Sequence, residues 1–201
     1  MYHRRMDHPD LAAFILAGGK SSRMGADKAF ISFDGRTLLA RALDLARSVT
    51  SDVRIVGDPA KFTSSAPAVE DIFPGCGPLA GIHAALRASS CSMNLIVAVD
   101  LPFVSPALLR FLAARAQSSS ATITVPRVEG RNQPLCAIYR PAFADAAENA
   151  LKQGRYKIDA LFADELTQAI GEDELQQNGF SARMFRNLNT PEELAEARDN
   201  S

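Results

Sequence analysis

The sequence predicts an α/β fold of Rossmann-like type, in which a mostly parallel sheet is sandwiched between two layers of helices. First, apolar segments of strand length alternate with segments of helical periodicity along most of the 201 residues. Second, the segments 12–16 and 95–99 are continuously apolar, which is typical of strands buried on both faces of a sheet. Open sheets of this kind bind ligands at the carboxyl ends of their strands, so the loops after these two segments are the first candidates for function.

In the first part of the chain, the strand 12–16 runs into the glycine-rich loop that contains Gly18 and Gly19. A short extended piece at 30–33 and an Asp-Gly turn follow. Thr37 then opens a helix with one apolar face, because a threonine in this position can accept a hydrogen bond from an amide of the first turn. The next strand is predicted at 53–56.

The rest of the chain continues the alternation and ends in a helix. The remaining predicted elements are a helix from Pro78 to about Ala88, the strand 95–99, a helix capped by Ser105 with Pro106 in its first turn, a strand at 122–125, a strand at 135–139, a helix after Pro141 and a last helix opened by Thr190 and Glu193.

Composition indicates a single compact domain, for which we expect the bounds 11–201, preceded by a flexible tail at 1–10. The tail has no apolar run long enough for a signal peptide or a membrane span. Lys and Arg total 22 against 23 Asp and Glu, so we expect neither nucleic acid nor membrane partners. Three widely spaced cysteines argue against a zinc site and a disulfide framework, and favour reduced thiols in the cytoplasm.

The most informative segment is Leu-Ala-Gly-Gly-Lys-Ser-Ser-Arg-Met-Gly-Ala-Asp-Lys, at residues 16–28. Its glycines let backbone amides approach phosphate oxygens, and Arg23 and Lys28 add positive charge. The segment matches neither a Walker A loop nor the dinucleotide fingerprint, so it predicts another design of phosphate site. The alternative interpretation is a tight turn with solvated cations.

Asp100 follows the apolar strand 95–99, where an ionised carboxylate is unfavourable unless it is solvated or binds a cation. Magnesium fits, since Mg²⁺ binds one or two carboxylates together with phosphate oxygens and water. The alternative is a turn or cap residue before Leu101-Pro102.

Asp71 precedes a loop rich in glycine and proline, and the residues alone favour a plain turn there. Gly77 to Gly81 either direct a helix N-terminus at an anion or pack two elements closely. His83, on the apolar side of the helix that begins at Pro78, is expected to be a packed core or edge histidine.

These motifs resemble those of the molybdenum cofactor guanylyltransferase (MobA) family, within the nucleotidyltransferase superfamily. The matching segments span nearly the whole chain: Leu16-Ala17-Gly18-Gly19 with Arg23 and Lys28, Glu70-Asp71, Gly77-Pro78-Leu79-Ala80-Gly81, Asp100-Leu101-Pro102-Phe103, Gln133-Pro134-Leu135, and Asn187 to Glu193. Cytidylyl and sugar-phosphate relatives typically have Leu-Ala-Ala-Gly in the first segment, whereas this chain has Gly18.

The resemblance implies a nucleotidyltransferase fold and the Mg²⁺-dependent transfer of GMP from GTP to molybdopterin, with transient contacts to other cofactor-synthesis proteins or apoenzyme chaperones. It implies catalytic roles for Arg23, Lys28 and Asp100, with Asp100 as metal ligand. The residues it assigns to the nucleotide are Leu16, Ala17, Gly18, Gly19, Lys28, Asp71 and Asp100, and those it assigns to the second substrate are Gln133, Asn187 and Asn189. Arg131 and Arg155 are further candidates for the second substrate.

Two features leave alternatives open. The family often has an asparagine where this chain has Gly57, which weakens the assignment of base specificity. The alternation around Asn187 and Asn189 predicts a short strand with both amides on one face, or else a cap for the last helix. The alternative functions are a cytidylyltransferase or sugar-phosphate nucleotidyltransferase of the same fold, and a carrier that binds nucleotide or molybdenum cofactor without catalysis.

Overall fold

A computed structural model of the protein describes residues 10–18, 27–62, 64–188 and 193. Several predictions fall outside these ranges: the tail before residue 10, the roles of Gly19, Arg23 and Asn189, and the last helix apart from Glu193.

Most of the strands join one sheet. In chain order they are β1 (Leu11–Leu16), β2 (Ser32–Phe33), β3 (Arg36–Thr37), β4 (Asp52–Val56), β5 (Ala68–Val69), β6 (Met93–Ala98), β7 (Ile123–Val128), β8 (Arg131–Asn132), β9 (Cys136–Tyr139) and β10 (Thr167–Ile170). Eight of them form a sheet in the order β10-β7-β9-β6-β1-β4-β5, with β8 paired to β7, while β2 and β3 form a separate hairpin. The central strand β1 is parallel to β4 and β6.

Helices connect these strands, and the four longest of the described helices were predicted from the sequence. They are α1 (Leu38–Arg47), α2 (Pro59–Phe62), α3 (Pro78–Ala88), α4 (Pro106–Gln117), α5 (Phe143–Lys152) and α6 (Glu172–Gln177). The predicted caps at Thr37 and Ser105 are confirmed, because the Thr37 hydroxyl accepts from the Ala40 amide and the Ser105 hydroxyl accepts from the Leu108 amide. Among the described residues, no helix is both long and apolar enough to cross a membrane.

The sheet separates two apolar cores. Side chains of β1 alternate between them: Leu11, Ala13 and Ile15 enter one, and Ala12, Phe14 and Leu16 enter the other. The first core is covered by α1 and α4, and the second by α3 and α5. Burial of each large side chain here contributes about 1.5–3 kcal/mol, which explains why the run is apolar without interruption. The predicted three-layer architecture is confirmed.

Two strands of this sheet run against the others: the short β8, which pairs with β7, and β9. β9 is antiparallel to both of its neighbours, β6 and β7, and Val97 pairs with Cys136. The amino end of β9 therefore lies beside the carboxyl end of β6, and the Ala98 amide donates to the Leu135 carbonyl at 2.8 Å. This reversal brings the segment around Gln133 to the same edge of the sheet as the loops after β1 and β6.

Candidate active site

The centre of the site is an ion pair between Lys28 and Asp100. The Lys28 Nζ lies 3.0 Å from Asp100 Oδ2, and the two side chains are only 22% and 17% exposed. Lys28 begins a short 3-10 helix that is capped by Asp27, whose carboxylate accepts from the Ala29 amide. Asp27 also forms an ion pair with Lys61 of α2 at 3.0 Å. The two predicted residues, 72 positions apart in the chain, are thus brought together.

Asp71 lies beside Gly18 at the ends of β1 and β5. A Cβ added to Gly18 would stand 4.0 Å from Asp71 Oδ2, which shows how near the carboxylate is to the glycine. The other oxygen, Oδ1, is buried and has no hydrogen-bond partner among the described residues. Burial raises the pKa of Asp71, because a low-dielectric environment disfavours the charged form. An unpaired, half-buried acceptor of this kind suits a ligand that brings hydrogen-bond donors.

The amides at the start of the glycine-rich loop are used within the protein. The Ala17 and Gly18 amides both donate to the Val56 carbonyl at 3.1 Å, and the Leu16 carbonyl accepts from the Val99 amide at 3.2 Å. A side chain at Gly18 would make only ordinary contacts, the nearest at 3.6 Å, so the fold itself does not require glycine there. What Gly18 offers a ligand in this arrangement is the space left by its missing side chain, rather than its amide.

Gly57 is glycine for a packing reason. A Cβ at this position would lie 2.8 Å from Cε2 of Phe62, closer than such atoms approach. The Phe62 ring is 1% exposed and stacks on Phe30 with their centroids 5.9 Å apart, so it has little room to move. The family's asparagine therefore does not fit here unless the ring is displaced, which explains the departure seen in the sequence.

Asn187 is held next to Asp100, but not by a strand. The predicted short strand is wrong for the described residues: Arg186 to Leu188 follow a 3-10 helix at Ala182–Phe185 and lie in an irregular segment. The Leu188 amide donates to the Asp100 carbonyl at 3.0 Å, and the Leu188 side chain is 1% exposed. A buried anchor, rather than strand pairing, thus brings Asn187 to the metal candidate.

Gln133 also lies at this edge of the sheet. Its amide donates to the Pro126 carbonyl at 2.8 Å, and its side-chain amide donates to the Arg131 carbonyl at 3.4 Å. The Gln133 side chain is half-buried, whereas Arg131 and Arg155 are exposed. The antiparallel course of β9 determines this placement, and local sequence gives no signal for it.

The donors at the site fit a metal ion that retains much of its water. Among the described residues there is no group of three or more His, Cys, Asp or Glu side chains that could hold a metal ion. Single carboxylates such as Asp100, which contacts the Lys28 ammonium, and Asp71 are what the described part of this edge offers to a cation. A metal ion held by so few protein oxygens takes its other ligands from substrate phosphates and water, as Mg²⁺ does. Asp100 can hold such an ion, and Lys28 can neutralise an adjacent phosphate.

His83 lies away from this site, in the interface between α3 and α5. It is 2% exposed, accepts from Arg87 Nε at 3.3 Å, and lies 3.5 Å from Glu148 Oε2. Burial lowers the pKa of His83. Its ring meets that of Phe73 edge to face at 5.3 Å. The prediction of a packed histidine is confirmed.

Known proteins share this sequence and fold. The chain matches the family described as the MobA-like NTP transferase domain over residues 13–169. It is 34% identical to the molybdenum cofactor guanylyltransferase of Desulfosudis oleivorans, over 93% of this chain and 94% of that one. It is 33% identical to the probable molybdenum cofactor guanylyltransferase of Pelotomaculum thermopropionicum, over 92% of this chain and 90% of that one.

The fold agrees with the sequence match. The crystal structure of molybdopterin-guanine dinucleotide biosynthesis protein A from Archaeoglobus fulgidus superimposes with a TM-score of 0.82 and 28% identity, and the match covers 94% of this chain and 97% of that one. MobA-like nucleotidyltransferases typically use a divalent metal ion. The family resemblance and the fold predicted from the sequence are both confirmed, and the chain belongs to the MobA-like NTP transferase family of nucleotidyltransferases.

Proposed function

We propose that the protein transfers GMP from GTP to molybdopterin, or to its molybdenum-loaded form, to give the guanine dinucleotide of the cofactor. The observation that carries this proposal is the half-buried Lys28–Asp100 pair at the same sheet edge as Gly18 and Asp71, in a chain whose relatives are named molybdenum cofactor guanylyltransferases. The proposal includes a cytoplasmic location, a single domain over 11–201, and transient contacts with other proteins that make or insert the cofactor.

The chemistry is an in-line displacement at phosphorus. An oxygen of the terminal phosphate of molybdopterin forms a bond to the α-phosphorus of GTP, and the bond from that phosphorus to the bridging oxygen of the β-phosphate breaks. Pyrophosphate leaves with the electron pair. Because the attacking group is already an anion, positioning and charge neutralisation account for most of the catalysis, and a general base is not required.

The nucleotide would lie across the ends of β1 and β5. Lys28, together with Arg23, would neutralise the charge that develops on the departing pyrophosphate. Leu16 to Gly19 would border the nucleotide, with Gly18 leaving room for it, and the unpaired oxygen of Asp71 would accept a hydrogen bond from it.

Asp100 would hold Mg²⁺, which when bound would neutralise charge on the phosphates. The Lys28–Asp100 contact supports this assignment, because it shows that a cation and this carboxylate are compatible in the folded protein.

The acceptor would approach from the side of β9 and the C-terminal segment. Asn187 stands next to Asp100 through the Leu188 amide, and Gln133 shares the same sheet edge. Their amides, with Asn189, suit the polar edge of a pterin ring, since an amide both donates and accepts. The exposed Arg131 and Arg155 would contact the acceptor's phosphate.

The test is Mg²⁺-dependent pyrophosphate release from GTP and from CTP in the presence of molybdopterin. We expect GTP to be preferred, and Asp100→Asn to lower the rate by at least ~100-fold. Asp145→Asn is the matched control, because it makes the same change in an exposed aspartate that binds Arg87 between α3 and α5. Circular dichroism of both variants would show that they are folded.

Each alternative has its own outcome. If the protein prefers CTP, the base assignment changes from guanine to cytosine, and the proposed phosphate chemistry still applies. Nucleotide binding without transfer would support the carrier function, and equal activity of the Asp100 and Asp145 variants would remove Asp100 from the reaction.

A further inference from the structure

We propose that Phe103 is a positioning residue, which fixes the loop of Asp100 between the segment that carries Lys28 and the segment that carries Asn187. The inference rests on the proposed function for the roles of those three residues. In this proposal the Phe103 ring holds Lys28, Asp100 and Asn187 at fixed positions relative to one another, although the ring itself contacts none of the reacting groups.

The observation is a stack of four side chains. The Arg41 guanidinium lies over the Phe33 ring at 5.0 Å from its centroid. Phe33 meets Phe103 edge to face, with centroids 5.9 Å apart and planes at 87°. The Arg183 guanidinium covers the Phe103 ring at 5.1 Å. Each contact is a favourable aromatic or cation–π geometry.

The stack connects the parts of the chain that bear the site. Phe33 ends the short segment that begins at Lys28, and Phe103 is three residues beyond Asp100. Arg183 lies in the 3-10 helix just before Asn187. The Phe103 ring contacts both Phe33, from the segment of Lys28, and Arg183, from the segment before Asn187. The position of this ring therefore determines the spacing among the three segments.

Other contacts join the same segments at single points. The Leu188 amide holds the Asp100 carbonyl at 3.0 Å, and the Ser105 hydroxyl lies 4.0 Å from the Met184 sulfur. The loop also borders an open pocket of about 350 Å³, lined by Pro102 of the loop and by Arg41 of the stack. The loop is therefore not packed on all sides, and the Phe103 ring is the aromatic contact that holds it to both neighbouring segments.

The loop nevertheless has its own anchors in the core. Leu101 and Val104 are each 6% exposed, so the fold does not rest on Phe103. Loss of the ring is expected to leave a folded protein in which Asp100 is less well placed. Support of this kind matters, because residues that orient a metal ligand typically affect metal affinity about 10–100-fold.

The experiment compares Phe103→Leu and Phe103→Tyr with the parent and with a matched control. Phe111→Leu is the control, because Phe111 is also a partly buried aromatic paired with another ring, Phe180 at 5.2 Å, but it lies on α4. The first readout is Mn²⁺ binding to the full chain with GTP, followed by electron paramagnetic resonance. The second is kcat and KM for GMP transfer to molybdopterin, and the third is the thermal midpoint.

We expect Phe103→Leu to weaken Mn²⁺ binding by about tenfold and to lower kcat, with the KM for GTP nearly unchanged. Phe103→Tyr keeps the ring and should restore both values. Phe111→Leu should lower the thermal midpoint about as much as Phe103→Leu does, without changing Mn²⁺ binding or kcat. If Phe103→Leu does not fold, Arg183→Gln removes the cation from the ring and should weaken Mn²⁺ binding in the same direction.

The proposal is overturned if Phe103→Leu binds Mn²⁺ as Phe111→Leu does, or if the parent with GTP binds no Mn²⁺. A parent that binds Mn²⁺ with GTP but transfers no GMP would contradict the proposed function instead. In that case the comparison of Mn²⁺ affinities would still decide the role of Phe103.

Discussion

Two groups of charged side chains in this protein look alike in composition but differ in how completely they are paired. Between α3 and α5, Arg87 binds both Asp145 and Glu148, and Glu148 also binds Lys152 and faces His83. Arg87 and Glu148 each have two partners of opposite charge, although the buried Nδ1 of His83 has no hydrogen-bond partner among the described residues. The group joins two helices.

At the carboxyl edge of the sheet, one carboxylate is incompletely paired. Lys28 and Asp100 form an ion pair there, whereas Asp71, at the same edge, has a buried oxygen without a partner among the described residues. Incomplete pairing lowers the stability of the unliganded protein and is expected where a ligand supplies the missing partners. The difference teaches that a buried carboxylate oxygen without a partner, rather than a charge network as such, is where we expect a ligand to bind.

The strongest test of this comparison is the loss of one cation from each group. Lys28→Met should lower GMP transfer by about 100-fold, because the charge on the departing pyrophosphate would lose a fixed neutralising group. Lys152→Met makes the same change at the α3–α5 group, where Lys152 binds Glu148, and should leave the rate near that of the parent. Initial rates of pyrophosphate release measure both, and equal losses would erase the distinction between the groups.

A smaller effect is expected from Asp71→Asn, which should weaken GTP binding but stabilise the folded protein. Affinity for GTP should fall about tenfold, since the acceptor loses its charge and a hydrogen bond to a charged group is stronger than one to a neutral group. The thermal midpoint at pH 7 should rise, because the pKa of Asp71 is raised by burial and its ionised form therefore opposes folding. The unfavourable free energy of burying the ionised carboxylate is present above the raised pKa and absent below the ordinary value of 3.8. The rise in thermal midpoint of the variant over the parent should therefore disappear in acid. A midpoint that does not rise at pH 7 would contradict the assignment.

The smallest effect is expected from Glu148→Gln, which affects stability and not activity. Hydrogen bonds from Lys152 and then Arg87 hold the pKa of Glu148 at about 2, below its usual 4.5. A depressed pKa means that the carboxylate stabilises the fold above pH 4.5 and loses this contribution as the pH falls through about 2. The variant should have a lower thermal midpoint than the parent at pH 7, and the gap should close as the pH falls from 4.5 to 2. A gap that is constant with pH would show that Glu148 acts through packing alone.

Much of the fold was predictable because its signals are local. The caps at Thr37 and Ser105 and the continuously apolar strands β1 and β6 follow from neighbouring residues alone. Sequence reasoning missed the short elements, such as β5, because two residues have no periodicity to detect.

The contacts that assemble the site were less accessible, since they join distant parts of the chain. Nothing local indicates that β9 enters the sheet in the opposite direction, or that the Leu188 amide reaches Asp100. The space at Gly57 is filled by Phe62 of the following helix, which only the three-dimensional packing reveals. Lys28 and Asp100 were each expected at the site from their sequence context and from family motifs, but only the structure shows that their side chains form an ion pair.

The central place of β1 has a consequence for how the chain is made. Its two partners, β4 and β6, are both synthesised later, and β6 ends only at Ala98. Until then, a wholly apolar strand near the start of the chain has an open edge and cannot complete its sheet. Pairings so distant in sequence form slowly, and exposed apolar strands aggregate during the delay. Folding yield during synthesis should therefore depend on this one strand more than on any helix.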